Sequence, residues 1–155
     1  MRPYFPKIGV VISLCLSCTA KEQTGSVQPI EAKSMFELKV MADSCYSADD
    51  YKGAVKYFTE LIDLGDSLSG EVFYKRGFAF GQLGDLERSS FDFEKAAIFK
   101  YREADAYYVL GLNATMRSDI PLAESYLNKS LKINPQKEEA LILLKSIKED
   151  SGQSL

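Results

Sequence analysis

Apolar positions across residues 35–149 recur at helical spacing. A stretch near Glu71–Leu83 stops at Gly84, a residue suited to the place just past a helix end. The next stretch runs near Leu86–Phe99, and its Leu86, Phe93 and Ala97 lie on one face. Pro121 falls in the first turn of a further helix, where its missing N–H costs little. After Pro135 a last apolar face is written by Leu141, Leu144 and Ile147, with Lys145, Lys148 and Glu149 directed to water. Asn134 is expected to cap that helix and Pro135 to open it. The pattern predicts about seven helices in paired, tightly turned units and no sheet.

The units repeat. Gly77 and Gly111 are 111 − 77 = 34 residues apart, and the same offset carries Phe73 onto Tyr107, Leu86 onto Ile120, Phe93 onto Leu127 and Ala97 onto Leu131. Upstream, Tyr51, Ala54, Phe58, Leu61 and Ile62 precede Leu86, Ser89, Phe93, Ala96 and Ala97 by 35 residues. Three copies are therefore present, with one extra residue between the first and the second. The small residues Ala42, Gly77 and Gly111 fall at matching places, where they allow the second helix of each copy to approach the first closely.

The shared pattern resembles the tetratricopeptide repeat (TPR): an aromatic, then Leu-Gly, a Tyr, later an Ala, a Phe and a Pro. The third copy carries Tyr107, Leu110-Gly111, Ala123, Leu127 and Pro135. The second carries Phe73, Gly77, Phe80, Gly84-Asp85, Phe93 and Ala96, and the first Leu38, Met41-Ala42, Tyr51, Ala54 and Phe58. Arg76 stands where the family has Leu, Ser89 where it has Ala, and the Pro is replaced by Asp66 and Tyr101. The resemblance implies an all-α, right-handed α-α superhelix, a TPR solenoid of three helical hairpins plus a C-terminal capping helix over residues 35–149, with 150–155 as a tail. Solenoids need such terminal caps for solubility.

The resemblance further implies that the first helix of each copy lines a concave groove for a protein or peptide partner. A surface helix should be polar on its second stripe. Here that stripe carries Phe36, Lys39 and Val40 in the first copy, Tyr74, Lys75 and Phe78 in the second, and Tyr108, Val109, Leu112 and Met116 in the third. These ten residues are the candidate partner site, since large apolar patches on a protein surface mark contact sites. Packing between neighbouring repeats, or occlusion by the preceding tether, would also account for the stripe. Some relatives clamp the carboxylate tail of heat-shock chaperones with Lys, Asn and Arg. Lys39 fits one such place, but Asp43, Asp105 and Val109 occupy others, so that ligand is not expected. Two readings stay open: an adaptor for another protein, or a structural subunit that self-associates through its groove or end cap.

Chemistry is sparse. The chain has no His, which removes the commonest general base and metal ligand and excludes Ser-His-Asp and Cys-His catalysis. No catalytic residue, metal site, cofactor or small-molecule substrate is expected. A net charge of −3 argues against nucleic acid, whose phosphates call for a basic face. Cys45 takes an inward place and reads as an inert thiol, and Asp49-Asp50 and Glu138-Glu139 read as capping or solvated acids.

The first residues read as an address. Arg2 and Lys7 precede an apolar run, Ile8 to Leu16, too short for a membrane span and of signal-peptide length. Ser17-Cys18 then resembles the end of a bacterial lipobox, although Cys15 and Leu16 depart from it. The resemblance implies a signal peptide over 1–17, acylation of Cys18 (palmitate among the acyl groups), a tether over 18–34, and an outer-membrane lipoprotein of the bacterial cell envelope facing the periplasm or the exterior. Plain secretion or an uncleaved anchor are the alternatives. If Cys18 is the anchor, Cys18→Ala releases the protein from membranes or blocks its maturation. Cell fractionation checks this, and a normally processed, membrane-bound variant excludes anchoring through that residue.

Overall fold

The structure, a computed structural model, describes residues 33–65 and 69–150. The signal segment, Cys18, most of the tether and the residues after Asp150 lie outside the described residues. Seven helices follow one another: α1 (Met35–Ser47), α2 (Tyr51–Asp63), α3 (Gly70–Gln82), α4 (Leu86–Ile98), α5 (Glu103–Met116), α6 (Ile120–Ile133) and α7 (Glu138–Asp150). They form the three hairpins α1–α2, α3–α4 and α5–α6, closed by α7, in the right-handed TPR solenoid that the repeat implies. No strand occurs among the described residues.

The turn chemistry repeats with the helices. Residues 48–50, 83–85 and 117–119 join the two helices of each hairpin, and each turn places one residue at positive φ: Asp49 (57°), Gly84 (79°) and Ser118 (61°). The following Asp then caps the second helix. Asp50 accepts from the Gly53 N–H, Asp85 from that of Arg88, and Asp119 from that of Leu122. Each bond satisfies one orphan donor and sets a negative charge at a positive helix end. Ser34 and Glu37 form a capping box that starts α1. Arg102, in the left-handed region at φ 44°, opens α5 without any side-chain cap.

Hairpin geometry depends on how close its two helices come. A Cβ on Gly77 would lie 3.0 Å from the Asp92 Cβ and 3.2 Å from the Ser89 carbonyl oxygen. One on Gly111 would lie 2.7 Å from the Leu127 Cγ. Ala42, the matching residue of the first copy, is fully buried. Around these contacts Phe58, Phe93 and Leu127 fill the centres of the three hairpins, each contributing about 1.5–3 kcal/mol of apolar burial.

Arg76 shows what replaces an expected Leu. Its guanidinium donates to both oxygens of Asp92, at 2.7 and 2.8 Å, and to the Thr59 hydroxyl at 3.2 Å. It also lies 5.7 Å from the ring centroids of Phe73 and Phe80. Asp92 is 1% exposed, and burial pushes its carboxyl above the ordinary aspartate range despite the pairing. One bidentate ion pair and the bond to Thr59 therefore tie α2, α3 and α4 together at a place where the third hairpin uses Leu110 and Tyr126.

The C-terminal cap differs from the sequence expectation in two ways. Asn134 ends α6, and its side chain accepts from the Gln136 N–H in the turn. The first bonds of α7 are instead received by the Lys137 carbonyl, because Pro135 and Gln136 are held in that turn. On α7 the buried face is Ala140, Leu144 and Ile147, while Leu141 is exposed. Leu141 and Lys145 lie 34 residues after Tyr107 and Gly111 (107 + 34 = 141, 111 + 34 = 145), so they occupy the face on which a partner helix would have sat. The bulky exposed Lys145 stands at the place that glycine keeps open in the second and third hairpins, and pairs with Glu149 at 3.7 Å.

Gly111→Leu places a branched side chain where Leu127 already stands. Overpacking costs about 1–3 kcal/mol, occasionally more, a large part of a total near 5–15 kcal/mol. The expected outcome is a melting temperature lowered by several degrees. An unchanged melt means that α5 and α6 do not meet there.

Candidate functional site

The first helices of the hairpins, α1, α3 and α5, with α7, stand side by side and form the inner wall of the solenoid. Three ion pairs, each joining residues 32 apart, cross this wall, two between α1 and α3 and one between α5 and the residue that precedes α7. Lys39 meets Glu71 at 3.5 Å, Lys75 meets Asp43 at 2.8 Å, and Lys137 meets Asp105 at 2.6 Å. Lys75 also bridges to Glu71 at 2.7 Å, and Arg102 to Asp105 at 2.8 Å. The Lys75 bond, with partial burial working against it, holds Glu71 below the usual glutamate range. Burial would raise Asp105, but its bonds to Lys137 and Arg102 outweigh that and hold it low. The charged part of the wall thus satisfies itself, along the N-terminal halves of α3 and α5 and the middle of α1.

Toward their C-terminal ends the wall turns apolar. A cleft of about 340 Å³ opens between α3 and α5. Phe78, Gly81 and Gln82 form one side, Tyr108, Val109, Leu112 and Met116 the other, and Leu86, Ser89 and Phe93 of α4 the floor together with Asn113. Gly81 matters to this shape, because a Cβ there would point at the Ser89 hydroxyl, 3.3 Å away, and narrow the floor. Phe78 is held edge-on against Tyr46 and Tyr51, with centroids 5.6 and 6.1 Å apart. Tyr108 lies under the Lys137 ammonium, 5.1 Å from the ring centroid.

Of the ten residues the sequence singles out, the structure gathers five in this cleft: Phe78, Tyr108, Val109, Leu112 and Met116. Phe36 and Val40 sit apart on α1, 77% and 53% exposed, in a separate apolar patch with Met41. Lys39 and Lys75 belong to the ion pairs. Tyr74 is a correction. Only 9% exposed, it packs edge-on against Phe93 and Tyr101 (5.1 and 5.6 Å) under the Arg102 guanidinium, so it fills the joint between the second and third hairpins. Tyr101 draws it in, since it supplies an aromatic where the repeat usually has Pro.

Asn113, Ser89 and Phe93 are cleft residues that the stripe did not predict. Asn113 had a signal: it occupies the inward place that holds Ala79 one copy earlier (113 − 34 = 79). Cys45 is half-buried against the first core, and burial together with the Asp50 carboxylate raises its thiol above the ordinary range. A thiol so placed is a poor nucleophile. Among the described residues no group of carboxylates and thiols is placed to hold a metal ion, and no helix is long and apolar enough to cross a membrane.

No protein-family model matches the chain, and neither does any curated protein sequence. Solved structures do. The TPR domain of Arabidopsis OM64 matches at 21% identity and a TM-score of 0.66, over 75% of this chain and 95% of that one. The Yersinia enterocolitica type III secretion chaperone SycD, in complex with a peptide of the translocator YopD, matches at 19% and 0.68, over 79% and 98%. The second TPR domain of human RPAP3, in complex with the HSP70 peptide SGPTIEEVD, matches at 18% and 0.66, over 74% and 94%. At such identities the likeness establishes the TPR fold.

Tyr74 and Met116 separate joint from wall. Tyr74→Ala removes a buried aromatic and is expected to lower stability by about 3–5 kcal/mol. Met116→Ala, at a side chain 62% exposed, should stay within about 0.5 kcal/mol. Denaturant titration of both variants checks the assignment.

Proposed function

We propose that this chain is a non-enzymatic scaffold that holds a segment of a partner protein against the inner wall of its solenoid. The observation that carries the reading is the cleft between α3 and α5. It is open and largely apolar, Leu112 and Met116 line it, and no charged residue does, while Lys75, Glu71, Asp43, Asp105 and Lys137 on the same wall are paired. Such surfaces gain from excluding water and lose little by desolvating charge. The peptide complexes of the similar folds support a peptide or helix as the occupant. The paired state of Lys39, Lys75 and Lys137 argues against a carboxylate-clamping role, because an acidic tail would have to displace Asp43, Glu71 or Asp105.

The sequence of the N-terminal segment adds a location to this reading. Cys18, acylated, would anchor the scaffold in the bacterial envelope, and the polar residues after it would let the solenoid reach about 55 Å from the lipid. The partner is then another envelope protein. A structural subunit that self-associates is the second reading. It has one observation in its favour: the exposed Phe36, Val40 and Met41 on α1, which a second copy would cover.

The test uses affinity capture from native membranes, with the captured protein identified by mass spectrometry and titrated against the unmodified chain and Leu112→Ala. Loss of a central interface residue costs about 2 kcal/mol or more, which is roughly thirtyfold in affinity. The expected result is that loss with little change in the melting temperature. Retained affinity in Leu112→Ala removes the cleft from the interface. Light scattering on the same preparations separates the two readings: a monomer at micromolar concentration supports the scaffold, and a stable dimer or ring the structural subunit.

A further inference from the structure

Asn113 stands at the floor of the cleft, 3% exposed, with its hydrogen bonding only half complete. Its Nδ2 donates to the Ser89 Oγ at 3.0 Å and to the Ser90 Oγ at 3.2 Å. The hydroxyl of Ser90 itself donates to the Leu86 carbonyl at 2.8 Å. Ser90 therefore has no proton left for Asn113 and faces it only as an acceptor. That requirement fixes the amide: the NH₂ group points at the two serines and Oδ1 points the other way. No donor among the described residues reaches Oδ1. Nor is the atom sealed off, since no fully buried side-chain oxygen or nitrogen among them lacks a partner. The oxygen thus keeps some exposure in a residue that lines the cleft, and offers an unused acceptor on a floor whose other polar side chain is Ser89.

We infer that the cleft takes an aromatic side chain that carries its own donor, the indole of Trp or the phenol of Tyr, with the ring between Phe78, Tyr108 and Leu112 and the ring N–H or O–H donated to Asn113 Oδ1. This rests on the reading that the inner wall holds a partner segment. The alternatives fit less well on physical grounds. A purely apolar side chain strips water from Oδ1 and returns nothing, which leaves a buried acceptor unsatisfied. A Lys ammonium has the donor but brings a charge into apolar lining, and the wall's carboxylates Asp43, Glu71 and Asp105 already hold cations. Ser and Thr have the donor but fill little of about 340 Å³. A ring with an apolar body and one polar atom matches both halves of the lining.

The chain contains no Trp, so the emission of an added indole reports only on the ligand. The test titrates the full chain into four blocked pentapeptides, Gly-Gly-X-Gly-Gly, with X as Trp, 1-methyltryptophan, Tyr or Phe. Fluorescence follows the first two, and competition against the Trp peptide follows the others. The expected result is a saturable blue shift with Trp, with about tenfold weaker binding of 1-methyltryptophan than of Trp and of Phe than of Tyr. In Asn113→Leu both gaps should close. The comparison between peptides on the unmodified chain stands even if that variant does not fold. Equal affinities for all four overturn the role of Asn113 and leave the partner groove intact. If none of the four moves the backbone amide signals of Leu112 and Met116 in an NMR titration, the groove reading fails and this inference with it.

Discussion

Two helices of a hairpin can approach as closely as these do only if one of them has almost no side chain at the point of contact. Gly77 and Gly111 meet that condition, and Ala42 meets it nearly as well. Much of the remaining architecture follows from this approach. With the helices so close, the three-residue turns need a residue in the left-handed region, which Asp49, Gly84 and Ser118 supply. The Asp that follows each turn then falls at the exposed end of the next helix, where its carboxylate meets free N–H groups. Close hairpins also leave narrow shoulders, so that consecutive first helices come within reach of one another's Lys and Asp side chains. The wall of paired charges and the cleft beside it are built on hairpins closed in this way.

The sequence made the fold legible because a repeat states its rules several times. Gly77 alone is an ambiguous residue, but matched to Ala42 and Gly111 it becomes a spacing constraint. The turn aspartates read just as clearly. What stayed hidden was the direction of side chains on surfaces where two demands overlap. Tyr74 and Phe78 lie on one stripe, four residues apart, and both are aromatic. Tyr101 buries the first, and no rule of helical spacing contains that partner. Lys75 fell on the same stripe, yet its role depends on Asp43, a full copy away. The start of α7 was misplaced for a related reason: Asn134 and Pro135 are good helix openers, but the Asn134 side chain was already committed to closing a turn.

Arg76 and Asp92 teach a more general point about departures from a repeat. Each is a charge at an inward place where the third hairpin has an uncharged side chain, and either alone would be a destabilising substitution. Together, with Thr59 taking a further N–H, they form a bidentate pair between two rings. A buried pair of this kind is weak testimony to extra stability, because desolvation offsets most of the attraction. What the pair fixes is its own geometry: the Arg76 guanidinium makes its bonds only where Thr59 of α2 and Asp92 of α4 face it together. Asn113 is a departure of the same type, a polar residue at an inward place, but with its pairing left unfinished on the side of the cleft.

Lys145 carries a consequence for how long such a molecule can become. Tandem arrays of this kind lengthen in evolution when a gene segment is copied in frame, and each new unit must accept its neighbour on a surface already prepared for it. At α7 that surface differs at one point, since a long cation occupies the spot where the first unit has Ala42 and the next two have Gly77 and Gly111. A further helix packed against α7 at that spot would meet a long cation, whereas a unit copied between the second and third hairpins would meet glycine on both sides.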